Sequence, residues 1–234
     1  KYDATVRARV IDVFESFGKR SGAFSWGSYA SRGLIFLNYT EKFSDVSTFA
    51  HEFGHCLHRD YSIENQPYVY YQNPIFLAEI ASTFNEALLF DHMSKIAESS
   101  EEKKFFLYHN MKRIEATFYR QTMFANFEMD VHEIAESGKV LIAKSITDIY
   151  RNNLEIYLGK GMVIDEQLNY EWARITHFYN AFYVYKYATS LSAAIALSER
   201  VTSGEEGAVE DYLTFLGAGS HKEPLEILKD AGVD

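Results

Sequence analysis

Along most of the chain the apolar residues recur at helical spacing, so helices dominate the elements that the pattern predicts. Residues 3–17, DATVRARVIDVFESF, put Val6, Val10, Val13 and Phe14 on one helical stripe and predict an amphipathic helix ending at Gly18. Residues 18–33 carry four glycines and four serines and cannot sustain a helix. The short apolar run LIFLNY, 34–39, reads as a strand, and with AFSW, 23–26, it predicts an antiparallel pair. A helix follows over 45–61, DVSTFAHEFGHCLHRDY, with Ser44 and Asp45 as candidate caps. Gly54 inside it costs about 1 kcal/mol relative to alanine, which points to a close approach or to helix packing at that position. The next helix takes Asn73 as cap and Pro74 as first residue, with Ile75, Phe76, Ile80, Phe84 and Leu88 apolar and Glu79, Ser82, Thr83 and Glu86 on one side.

Residues 102–136 lack proline and glycine and predict one long helix whose Phe, Tyr and Met stripe is core. A helix over 139–158 ends at Gly159, residues 162–168 form an acidic turn, and short helical pieces fall at 207–216 and 223–230. Between them lies WARITHFYNAFYVYKYATS, 172–190, where a helix from about 178 would stack Tyr179, Tyr183 and Tyr187 on one face. No repeat, low-complexity tract or linker interrupts the chain. The expected fold is therefore mainly α, with a small antiparallel β element ahead of the 45–61 helix, in a single domain spanning 1–234.

Charge and composition narrow the function. The chain holds 33 acidic and 23 basic residues, a net charge of -10, without a basic stripe, which argues against a nucleic-acid partner. No apolar run approaches the roughly 20 residues that span a bilayer, and the N-terminus lacks a signal-peptide core, so no membrane partner is expected. Cys56 is the one cysteine, which suits a reducing cytoplasm. The chain begins at Lys1 rather than methionine and reads as a processed chain or an excised fragment.

The chemistry concentrates at 51–55. On a helix His51 and His55, spaced i and i+4, share one face and can hold a single metal ion, while Glu52 projects beside them within reach of a metal-held water. Glu79 follows His55 by 24 residues on a mostly apolar helix. It is the expected third ligand, since a catalytic zinc takes two histidines and one glutamate and keeps a position for water. Glu86, two turns on, is placed to accept a hydrogen bond from a ligand imidazole. His58 is expected to be solvated or hydrogen-bonded rather than a ligand. A zinc peptidase also needs donors for its oxyanion, and the 172–190 stretch supplies His177, Tyr179, Tyr183, Tyr185 and Tyr187, five polar-tipped rings in eleven residues. An antiparallel strand edge beside the metal could hold an extended peptide through main-chain hydrogen bonds.

HEFGHCLH, FLAEIASTFNE, HFYNAFYVYKYATS and GAGSHKEPLEILKDAGVD together resemble the thimet oligopeptidase family, in its oligoendopeptidase F branch. The resemblance runs through nearly the whole chain. It implies an intracellular, almost wholly helical, zincin-like peptidase cutting short peptides in a deep channel. Carried over, His51, His55 and Glu79 hold one zinc, Glu52 is the general base, and His177 with one or two of the tyrosines stabilises the intermediate, Tyr187 first and Tyr183 next. Members of that family are longer, so the chain is expected to be their C-terminal catalytic portion. The alternative is a zinc-stabilised helical module that binds peptides without cutting them.

Overall fold

In the computed structural model, which describes residues 10–31 and 33–233, the architecture is mainly helical with one three-stranded sheet. The strands are β1 (Ile11–Phe14), β2 (Phe24–Trp26) and β3 (Leu34–Tyr39), in the order β1-β3-β2. β2 and β3 pair antiparallel, as expected, with Ser25 opposite Ile35. β1 pairs parallel to β3, which corrects the helix expected over 3–17; residues 3–9 of that segment lie outside the described residues. The reason is visible in the alternation: Ile11 and Val13 are half-buried while Asp12 and Phe14 are exposed, a period of two built from β-branched residues.

The helices are α1 (Phe43–Asn65), α2 (Ile75–Ile96), α3 (Ser100–Ile114), α4 (Arg120–Glu136), α5 (Ala143–Leu158), α6 (Tyr185–Thr202), α7 (Ala208–Leu216) and α8 (Pro224–Asp230). A π-helical turn, Glu115–Tyr119, joins α3 to α4, so the long helix expected over 102–136 carries one bulge. α1 is capped by Lys42 rather than Ser44 or Asp45; the Asp45 carboxylate instead accepts the Thr40 and Lys42 backbone N–H groups at 2.7 and 3.2 Å. Pro74 caps α2 in place of Asn73, whose Oδ1 accepts the buried Ser62 hydroxyl at 2.9 Å. Among the described residues no helix is long and apolar enough to cross a membrane.

The packing divides the chain into two units, Lys1–Asn110 with Ser190–Asp234, and Met111–Thr189. In the first, Leu77, Ile80, Ala81 and Phe84 of α2 pack with Ala194 and Leu197 of α6 and Phe215 and Leu216 of α7. Ile35 and Leu37 of β3 close on Phe53 and Cys56 of α1. The core of the second unit is Met123, Phe124 and Phe127 of α4 with Tyr150, Leu154 and Val184.

Candidate metal and catalytic site

α1 and α2 meet at Gly54. A Cβ there would lie 2.4 Å from the Ala81 carbonyl oxygen and 2.6 Å from Ser82 Cα, so only glycine lets the two backbones come this close. The approach sets the residues flanking Gly54 on α1 against Glu79 on α2. His51 Nε2 is 3.3 Å and His55 Nε2 3.6 Å from Glu79 Oε2, and one ligand atom from each of the three residues lies within 4.8 Å of the others. Bonds of about 2.0–2.1 Å at tetrahedral angles place donor atoms about 3.3 Å apart, so the set fits a zinc-sized ion.

The outer ring nitrogens are also engaged. His51 Nδ1 lies 2.5 Å from Glu86 Oε1, and the Ala78 backbone carbonyl accepts a hydrogen bond from the His55 ring. Both contacts leave Nε2 directed inward. Ser82 Oγ lies 3.1 Å from Glu79 Oε2, and Asn85 Nδ2 donates to the Ala50 carbonyl at 3.3 Å, tying α2 to α1 beside His51.

The electrostatics call for a cation. Burial opposes charge on His51, but Glu79 and Glu86 outweigh it and raise its pKa to about 10. Burial acts against Glu79 too, yet His51, His55 and Ser82 hold its pKa at about 2, while burial lowers that of His55 to about 4. Without a metal, a proton on His51 takes the cation's place.

Glu52 is only 7% exposed, and its Oε2 has no hydrogen-bond partner among the described residues. Burial, first of several causes, raises its pKa, while the Ser25 backbone N–H of β2 donates to the carboxylate. A buried carboxylate oxygen left open beside three metal-capable side chains is what a proton-accepting base requires. His58 departs from expectation: it is 2% exposed, stacked on Phe215 at 5.2 Å, its Nε2 unpartnered among the described residues, and burial drives its pKa down to about 3.

In the second unit the tyrosine-rich stretch is not one helix. Two 3-10 turns, Glu166–Arg174 and Thr176–Tyr179, are followed by an irregular link before α6. Tyr179 is therefore 86% exposed and does not stack with Tyr183 and Tyr187. His177, Tyr183 and Tyr187 do come together, with ring centroids 5.7, 6.0 and 5.8 Å apart, and the Tyr187 hydroxyl lies 3.5 Å from His177 Nε2. Tyr185 shares the Lys186 ammonium with Tyr183, at 5.9 and 5.1 Å.

Sequence reasoning missed the Ser25 amide and the Ala78 carbonyl, which carry no side-chain signal. It also missed Arg59, whose guanidinium donates to the Trp26 carbonyl at 3.0 Å and occupies the space that side chains at Gly27 and Gly33 would need. The glycine content of 18–33 was the available clue.

The model of peptidase family M3 matches residues 2–234. Oligopeptidase PepF of Bacillus subtilis is 43% identical over 226 residues, covering 97% of this chain and 34% of its own length. The plasmid-borne oligoendopeptidase F of Lactococcus lactis subsp. cremoris is 43% identical over 234 residues, covering 100% of this chain and 39% of its own length. The crystal structure of oligoendopeptidase-F from Enterococcus faecium superposes with a TM-score of 0.71 at 36% identity, covering 82% of this chain and 34% of that one. The chain thus spans between a third and two fifths of the length of these relatives.

Proposed function

Because the chain belongs to peptidase family M3, we propose that it is the catalytic part of a zinc-dependent endopeptidase cutting internal bonds of short oligopeptides, and that residues 1–234 make up one catalytic domain. The observation that carries this reading is the open, buried Glu52 oxygen beside the His51, His55 and Glu79 set. A purely structural zinc site would have no use for that carboxylate, which disfavours the non-catalytic peptide-binding module.

His51, His55 and Glu79 hold one zinc. When bound, the ion polarises the scissile carbonyl and acidifies the attacking water. Glu86 and the Ala78 carbonyl keep the two imidazoles in the tautomer that directs Nε2 inward. Glu52 receives the proton of the attacking water and returns it to the leaving amine, and its burial makes it the stronger base for that transfer. His177 and Tyr187, with Tyr183 beside them, donate to the developing oxyanion, a contribution worth about 100- to 1000-fold in turnover. β2 is an edge strand next to Glu52, so an extended peptide laid along it lies beside the base. The lone buried thiol, Cys56, suits the cytoplasm.

The test is Glu52→Gln. It retains stoichiometric zinc while turnover of an internally quenched peptide falls at least about 100-fold. Loss of zinc from this variant would show that Glu52 is a ligand and not the base.

A further inference from the structure

Glu128, on α4, has no part in the chemistry above, yet it is a carboxylate only 5% exposed. Its Oε1 accepts the backbone N–H of Phe182 at 2.7 Å. Phe182 itself has φ of 55°, in the left-handed region that a bulky side chain rarely adopts. A strained turn and a buried carboxylate are each unfavourable alone. Joined by a charge-assisted hydrogen bond, they offset one another. His132, one turn further along α4, packs its ring against Phe182 at 4.6 Å, so one helix grips the turn by both its amide and its ring.

The turn has a consequence for its neighbours. Tyr183 comes next, and Val184 after it is 1% exposed in the core of the unit. Tyr183 is thus pinned between two fixed residues, and this pinning sets its ring 5.7 Å from His177 and 5.8 Å from Tyr187. α6, which carries Tyr187, starts at Tyr185, directly beyond Val184.

We propose that Glu128 is a positioning residue: by holding the Phe182 amide it fixes the turn that sets Tyr183 and Tyr187 against His177 for donation to the oxyanion. The proposal rests on the donor roles given to these three side chains under the proposed function. Glu128 acts through the backbone and touches no substrate. A glutamine in its place presents an equivalent acceptor oxygen, whereas a methionine fills the volume without one.

The experiment compares Glu128→Gln and Glu128→Met by amide hydrogen exchange over residues 180–187 and by steady-state cleavage of a quenched peptide with zinc bound. In the methionine variant Phe182 exchange rises at least about tenfold and kcat falls about 10- to 100-fold with KM within about twofold. The glutamine variant keeps both within about threefold of the parent. His132→Ala loosens the turn from its ring side and shifts both readouts in the same direction, which keeps the test open if the methionine variant does not fold. Unchanged Phe182 exchange in the methionine variant overturns the clamp. Faster exchange with parental kcat, or a change in KM alone, overturns the positioning role. Tyr187→Phe and His177→Ala separate the two layers: full turnover in both, with the exchange change still present, means that the donor reading has failed while the clamp stands. A parent chain without turnover, both alone and with the upstream portion added, sinks the peptidase reading and leaves exchange to decide the clamp.

Discussion

Replacing Gly54 by alanine puts two effects in direct opposition. In an exposed helix the change stabilises by about 1 kcal/mol. Here the new methyl would sit 2.4 Å from the Ala81 carbonyl oxygen and 2.6 Å from Ser82 Cα, both backbone atoms that cannot swing aside. Ordinary contact requires α1 and α2 to part by nearly 1 Å, and overpacking of this kind costs about 1–3 kcal/mol, enough to cancel or exceed the propensity gain. The metal set suffers more. His55 is adjacent to Gly54, and Glu79 lies within one turn of Ala81, so the separation passes directly into the 3.3 and 3.6 Å spacings between imidazole nitrogens and carboxylate. A metal site tolerates about 0.2 Å, so zinc affinity should weaken at least about tenfold. Competition against a chromogenic chelator measures the affinity, and urea unfolding of the metal-free chain measures the stability. A Gly54→Ala protein that binds zinc with parental affinity and unfolds at higher urea would refute the view that this glycine sets the distance between the ligand helices.

Glu86→Ala removes the acceptor from His51 Nδ1 and should weaken zinc binding about 10- to 100-fold without abolishing it, as measured by the same competition; an unchanged affinity would mean that Glu86 does not orient the ring. Zinc uptake should also release protons. With the folded metal-free pKa of His51 raised to about 10, the ring is protonated at neutral pH and must lose that proton to ligate, so about one proton leaves per zinc. Affinity therefore rises with pH, about tenfold per unit between roughly pH 6 and 8. Calorimetry in buffers of different ionisation enthalpy reads the proton directly, and a binding heat independent of buffer contradicts the assignment.

The motif helix was legible because a single period places His51, Glu52 and His55, and Glu79 stood out only because it follows that motif by 24 residues on a mostly apolar helix. Gly54 was legible as an anomaly, and its cause, the Ala81 carbonyl, emerged only from the packing. β1 was misread because VIDVF satisfies both periods over five residues, and what decides between them is a parallel pairing with β3 more than twenty residues away. The stretch 178–184 was misread for a related reason. Its aromatic and β-branched residues are weak helix formers, and the buried Glu128 carboxylate takes the Phe182 amide that a helix would have used. His58 shows the limit of face arithmetic: its place against Phe215 depends on α7, which no spacing within α1 reveals. The groups that hold Glu52 and His55, the Ser25 amide and the Ala78 carbonyl, are backbone atoms and had no sequence signature at all.

The most direct measurement of the central claim is hydrolysis of a quenched peptide of about ten residues, a length suited to an extended strand-edge site, by this chain as isolated, after chelation and after zinc is restored. The account predicts internal cleavage that stops with the chelator and returns with one equivalent of zinc. A chain that binds one zinc through His51, His55 and Glu79 and still leaves the peptide intact, both alone and with the upstream portion added, would contradict it.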